Sequence, residues 1–178
     1  MSARVRAGKA LSCDDVPVLS ESEFRKRVID APANDRRVAS LFARRRDDRM
    51  QLVAVIAADH ESVVELATTL LDREAFASMT LECPQVHLFE REIAEQWGIV
   101  PEGHPWLKPV RFVRSYREGH DAWKRDGTPA PGVMDFYRVE GDEVHEGAAG
   151  PVHAGVIEQG HFRFQCHGEH VFHLEIAL

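Results

Sequence analysis

Pro84-Gln85-Val86-His87-Leu88-Phe89-Glu90-Arg91-Glu92-Ile93-Ala94-Glu95-Gln96-Trp97-Gly98 reads as one helix with a signal at each end. Proline suits a first turn, where its missing N–H would have no partner anyway, and glycine suits the position after the last turn, where the chain turns left-handed. Phe89, Ile93 and Trp97 recur every four residues and make one apolar face, which leaves Glu90, Arg91 and Glu92 as polar residues. After Gly98 the chain is expected to reverse into an exposed loop holding His104 and Pro105. Taken alone, these residues ask for nothing more than a capped helix and a rigid turn.

Upstream, Ser20-Glu21-Ser22-Glu23 forms a capping box, and Leu19 can staple against Phe24, so a short helix is expected to about Asp30. Pro32 ends it, and Ala33-Asn34-Asp35 reads as loop. Residues 38–43 and 50–58 are apolar and valine-rich, and Arg44-Arg45-Arg46-Asp47-Asp48 between them is a charged turn; together they predict a β-hairpin with one well-buried strand. Residues 60–71 fit two patterns: Val63, Val64, Ala67, Leu70 and Leu71 a helical face, Val64, Leu66, Thr68 and Leu70 a strand. Periodicity leaves both open.

Downstream, residues 114–132 are polar and broken by glycine and proline, as in Gly127-Thr128-Pro129-Ala130-Pro131-Gly132, and read as a linker. Alternating segments follow. Residues 136–140 lead into a Gly141-Asp142 turn and Val144; Phe162, Phe164 and Cys166 share one strand face; a His167-Gly168-Glu169 turn returns the chain through Phe172, Leu174 and Ile176. A last strand that finishes at Leu178 is expected of a fragment of a longer polypeptide.

Composition narrows the functional classes. A chain of 178 residues, 44% hydrophobic, can bury a real core as one domain with an extension. A net charge of −7 argues against a nucleic-acid partner, since phosphate binding needs a basic face. Cys13, Cys83 and Cys166 stand far apart, without a CxxC, so neither a disulfide framework nor a thiolate cage is expected, and a reducing cytoplasm fits. About eighteen consecutive apolar residues occur nowhere, so any membrane link is expected to run through a partner. His167, His170 and His173 are evenly spaced, but strand alternation sets His170 on the face opposite the other two, so no metal site is predicted. Dinucleotide, P-loop and nucleophile-elbow motifs are missing, and with 29 acidic residues chance carboxylate pairs carry no information.

Two longer segments carry a family resemblance. Leu88-Phe89-Glu90-Arg91-Glu92-Ile93-Ala94-Glu95-Gln96-Trp97-Gly98-Ile99, followed by Glu102-Gly103-His104-Pro105-Trp106-Leu107-Lys108, resembles the signature of the 30 kDa (C) subunit of respiratory complex I and its hydrogenase relatives. Glu95, Gln96 and Trp97 stand where that family usually has Asp, Met or Leu, and Phe or Tyr. Glu140-Gly141-Asp142-Glu143-Val144-His145-Glu146 through Gly150-Pro151-Val152-His153-Ala154-Gly155-Val156-Ile157-Glu158-Gln159-Gly160 is similar to the opening of the large subunit of energy-converting [NiFe] hydrogenases, including formate hydrogenlyase, a relative of the 49 kDa (D) subunit of complex I.

The resemblance implies an α/β (α+β) fold: a small mixed sheet packed with helices, followed by an antiparallel β segment, with residues 60–71 taken as strand. The implied layout is an extension with the capped helix at 1–35, a 30 kDa subunit-like domain at 36–113, a linker at 114–132, and a truncated large-subunit-like segment at 133–178. The implied function is scaffold and docking portion of a membrane-associated multisubunit oxidoreductase, placed at the cytoplasmic face of the membrane. Its partners would include an iron–sulfur subunit. The chain would hold no cofactor itself, while the parent complex would carry iron–sulfur clusters and, in the hydrogenase branch, a nickel–iron centre. Glu90, Arg91, Glu92, Gly98, His104 and Pro105 are the implied interface residues; Glu158 is the implied proton relay and His153 the residue of a cavity loop. The competing readings are a freestanding interaction module of the same family without redox function, and a small His-rich metal-binding protein.

Overall fold

Ser20 opens the first helix by the local chemistry expected of it. Its side chain accepts from the Glu23 N–H, and the Glu23 carboxylate accepts in return from the Ser20 N–H. In the computed structural model, which describes residues 3–6, 8–125, 127, 130, 138–152 and 160–177, this helix is α1, Glu21–Asp30. It follows two short strands, β1 (Ala3–Arg6) and β2 (Val18–Leu19). Phe24 and Val28, four residues apart, turn into the core, and Leu19 packs beside them as the staple requires. A 3-10 turn at Pro32–Asn34 ends the helix.

The valine-rich runs form β3 (Arg37–Arg46) and β4 (Arg49–Ala58), an antiparallel hairpin whose tip is Asp47-Asp48, with Asp47 at φ 54°. Residues 63–71 are a strand, β5 (Val63–Leu71), antiparallel to β4. The sheet order is β1-β5-β4-β3, and β2 adds to β5 in parallel. Central β4 is buried along almost its whole length, with Leu52, Ala54 and Ile56 facing Phe24 and Val28 of α1, Leu41 of β3 and Ile93 of the second helix. The larger of these side chains, from valine to phenylalanine, each contribute about 1.5–3 kcal/mol by leaving water.

Strand β6 (Ala75–Ala77), helix α2 (His87–Trp97) and β7 (Val100–Glu102) complete this part, with β6 and β7 paired in parallel. A 3-10 turn at Pro84–Val86 leads into α2, and there the Gln85 side chain accepts from the Val38 N–H of β3 at 2.7 Å. That contact ties the start of α2 to the sheet edge. The fold is thus α+β, a mixed sheet with two helices.

By Cα proximity the chain divides into two units, Met1–Pro131 and Gly132–Leu178. The second holds β8 (His145–Val152), β9 (Gly160–His167) and β10 (His170–Ala177), an antiparallel sheet of order β10-β9-β8. The turn expected near Gly141 is present, with Val144 N–H donating to the Gly141 carbonyl at 3.1 Å. A strand over 136–140 is not seen among the described residues: 138–140 are irregular, and the strand begins only at His145. The hairpin turn falls at Gly168-Glu169. Leu174 pairs with Phe164 and Ile176 with Phe162 across it. A bulge between Val171 and His173 displaces Phe172 from simple alternation.

Candidate functional site

Helix α2 has no side-chain cap at its N-terminus, and its own charged residues hold it in place. Glu90 is fully buried; its carboxylate accepts from Ser78 Oγ at 2.6 Å, Met79 N at 2.6 Å and Thr80 Oγ1 at 2.7 Å. Buried carboxylates are costly unless their lone pairs are filled, and these three donors fill them while fixing the 78–80 turn over the helix. Arg91, 7% exposed, donates to the Lys108 carbonyl at 2.7 Å and the Pro109 carbonyl at 2.8 Å. Burial pushes its guanidinium below the ordinary range, an effect that nearby Glu95 opposes.

Glu95, 1% exposed, accepts from the N–H groups of Val110 (2.9 Å), Arg111 (2.8 Å) and Val113 (3.1 Å). Phe112, between them, takes a left-handed φ of 55°. A segment without helix or strand partners still needs its N–H groups satisfied, and one carboxylate does it here. Glu92, half-buried, pairs with Arg111 at 2.6 Å and Gln96 at 3.0 Å.

The end of α2 is capped from residues expected to be linker. Tyr116 N–H and Ser115 Oγ donate to the Gln96 carbonyl, and Arg117 donates to the Trp97 carbonyl while also reaching Glu74. Trp97 meets Tyr116 edge-on at 5.4 Å between ring centroids. Gly98 has φ 68°, and a β-carbon there would stand 2.8 Å from the His120 carbonyl oxygen, so both conformation and close approach require glycine. Residues 115–117 and 120 therefore pack on the end of α2, and residues 114–125 belong to the first unit. Their glycine and charge content marks irregular backbone, and the helix's terminal carbonyls supply the partners.

The loop after β7 carries His104, Pro105 and Trp106. His104 Nδ1 lies 3.0 Å from the Trp106 N–H, and Nε2 lies 3.2 Å from the His87 carbonyl. An amide N–H can only donate and a carbonyl can only accept, so the ring is neutral with its proton on Nε2. Burial lowers the pKa of His104, and burial followed by Arg91 and His104 lowers that of His87. The His87 ring lies 5.3 Å from His104 and 6.0 Å from Trp106, while Arg91 and Lys108 stand 5.1 and 5.0 Å from the indole centroid. Pro105 and Leu88 face outward, Leu88 at 55% exposure.

Of the interface residues expected from sequence, Glu90 and Arg91 are buried and point inward as clamps, so neither side chain offers itself to a partner. Glu92, Gly98, His104 and Pro105 gather along α2 and its following loop. His153 and Glu158 lie outside the described residues. Sequence reasoning passed over Glu95, His87, Trp106 and Lys108. For Glu90 a signal existed: Val86, Glu90, Ile93, Ala94 and Trp97 follow the helical spacing of one face, and Glu90 sits in its middle. For Glu95 there was none, because its partners are backbone groups of a loop 15 to 18 residues away.

Among the described residues no group of three or more His, Cys, Asp or Glu side chains is arranged to hold a metal, and no helix is long and apolar enough to cross a membrane. Fold and site define a class: an α+β domain in which one helix uses its buried charges to brace a polar, aromatic-bearing loop. The family follows from comparison. Residues 16–129 match the model of the respiratory-chain NADH dehydrogenase 30 kDa subunit, and the chain belongs to that family, a class of subunits of a multisubunit respiratory oxidoreductase. The match takes in α1 and residues 114–129, so both expected domain limits, 36 and 113, fall inside it. No curated protein matches the chain.

Proposed function

We propose that the chain is the scaffold and docking portion of a membrane-associated multisubunit oxidoreductase of the [NiFe] hydrogenase or NADH:quinone oxidoreductase type, whose redox centres sit in neighbouring subunits. The observation that carries this reading is the clamp set of α2. Glu90, Arg91 and Glu95 immobilise three loop segments and leave Leu88, Pro105 and the edge of Trp106 as a preformed surface. A preformed surface loses little entropy when it docks. Glu92, Gly98, His104 and Pro105 are the interface residues in this proposal, with an iron–sulfur subunit as the first partner and attachment to the cytoplasmic face of the membrane through partners.

The second unit is the start of a hydrogenase-like large-subunit module in this reading, with Glu158 relaying protons and His153 on a cavity loop of the assembled enzyme. Its sheet leaves Val171, Phe172, Leu174 and Ile176 between 51% and 60% exposed, in keeping with a surface that an assembly would cover. The test is purification of the native assembly through a tag on this chain, with iron and acid-labile sulfide measured in the co-purifying subunits. Stoichiometric iron–sulfur subunits that are lost with Pro105→Asp, the variant chain remaining folded, are the expected result. A chain that purifies alone from both membrane and soluble fractions overturns it.

A further inference from the structure

Acid can act on the braced loop at His104. Both ring nitrogens of His104 are occupied, Nδ1 as acceptor for Trp106 N–H and Nε2 as donor to the His87 carbonyl; the His87 ring lies tilted to it at 5.3 Å and stacks on Trp106 at 6.0 Å. A proton added at Nδ1 would set N–H against N–H, so the Trp106 contact must break for His104 to charge. We propose that the His87–His104 pair is an acid-sensitive latch on residues 103–109, closed when both rings are neutral and released when His104 takes up a proton.

The surrounding charges decide the direction. From α2, Arg91 opposes protonation of both rings; Glu90 favours it at His104, but its carboxylate is already held by Ser78, Met79 and Thr80. From the loop itself, Lys108 adds a second cation 5.0 Å from the Trp106 centroid. Glu95 acts on Arg91 and is held by Val110, Arg111 and Val113. A charged His104 therefore stands against Arg91, with the neighbouring carboxylates of Glu90 and Glu95 already accepting from other groups. The burial that keeps both imidazoles below their ordinary pKa is consistent with a latch that stays closed at neutral pH and opens in mild acid.

Opening would loosen the surface of the 104–108 loop, and in that consequence alone the inference rests on the docking reading. The test is made on the intact chain by NMR, following the His104 ring nitrogens and the Trp106 backbone amide against pH. The expected result is an Nε2–H tautomer at neutral pH and an acid transition of His104 below the ordinary range. In the same transition the protection of the Trp106 amide, its observed exchange rate compared with the intrinsic rate at the same pH, should fall by about tenfold or more. Base-catalysed exchange slows intrinsically in acid, so the comparison with the intrinsic rate at each pH is what reports opening. In His104→Gln the pH-dependent loss of protection should vanish; where that variant fails to fold, His87→Phe, which keeps a ring in the stack, should retain the His104 transition. A His104 that titrates with Trp106 unmoved, or an Nδ1–H tautomer at neutral pH, overturns the latch. If the loop opens as expected but the purified assembly keeps its subunits throughout that pH range, the docking reading fails and the latch stands.

Discussion

Helices α1 and α2 differ by one residue in length, 10 against 11, and are held in opposite ways. Helix α1 is organised by its own sequence: Ser20 and Glu23 close its first turn reciprocally, and the Ser20 hydroxyl and N–H hold the Glu23 carboxyl below its ordinary pKa. Helix α2 lacks such a cap and takes its order from distant chain, through Glu90 to the 78–80 turn, Arg91 to 108–109 and Glu95 to 110–113. A cap satisfies helix ends. Clamps of this kind turn a helix into the organiser of a surface, at the cost of burying charge.

The contrast is open to being broken from either side. The largest effect belongs to Glu90→Ala, which strands Ser78, Met79 N–H and Thr80 without an acceptor in the interior; urea unfolding of the full chain should show a loss of about 3–5 kcal/mol. An unchanged midpoint would mean that the turn finds other partners and that α2 does not organise it. Glu95→Gln comes next, at about 1–3 kcal/mol, since an amide offers one acceptor oxygen where the carboxylate offered two. Hydrogen exchange should speed up at Val110, Arg111 and Val113 and leave the sheet alone. Ser20→Ala removes one local cap and should cost about 1 kcal/mol, with exchange faster only in the first turn of α1. If its effect reached the core strands, the cap would not be local.

The smallest effect is that of pH. His87 and His104 both have folded pKa values below their ordinary value, so the unfolded chain binds more protons as pH falls. Their contribution to stability is complete above the ordinary histidine value of about 6.5 and declines below it toward the folded values. Thermal midpoints should therefore fall on acidification through that window, and His104→Gln should flatten the slope there. A slope of equal steepness in the variant would assign it to other groups.

Legibility in the sequence followed the range of the forces. The capping box, the hairpin of β3 and β4 and the span of α2 were readable, because each depends on residues within a few positions of one another. The burial of Glu90 and Arg91 was not readable from their polarity, because the groups that make them tolerable inside lie at residues 78–80 and 108–109. The 114–125 stretch reads correctly as irregular, yet its role as the cap of α2 depends on where the Gln96 and Trp97 carbonyls end up. Short β1, β2, β6 and β7 left no periodic signal, since strands of two to four residues take their identity from the partner they pair with.

By itself, then, the sequence determined the α+β class, the first helix and its cap, the central hairpin, the position of the second helix and the membership signature around Gly98. Residues 63–71, which periodicity leaves open and the family resemblance takes as strand, are a strand set between β1 and β4; tertiary structure alone decided that Glu90, Arg91 and Glu95 are clamps. The reason is physical: propensity and capping act through neighbours along the chain, whereas the burial of a charge is settled only when the groups that satisfy it arrive from elsewhere.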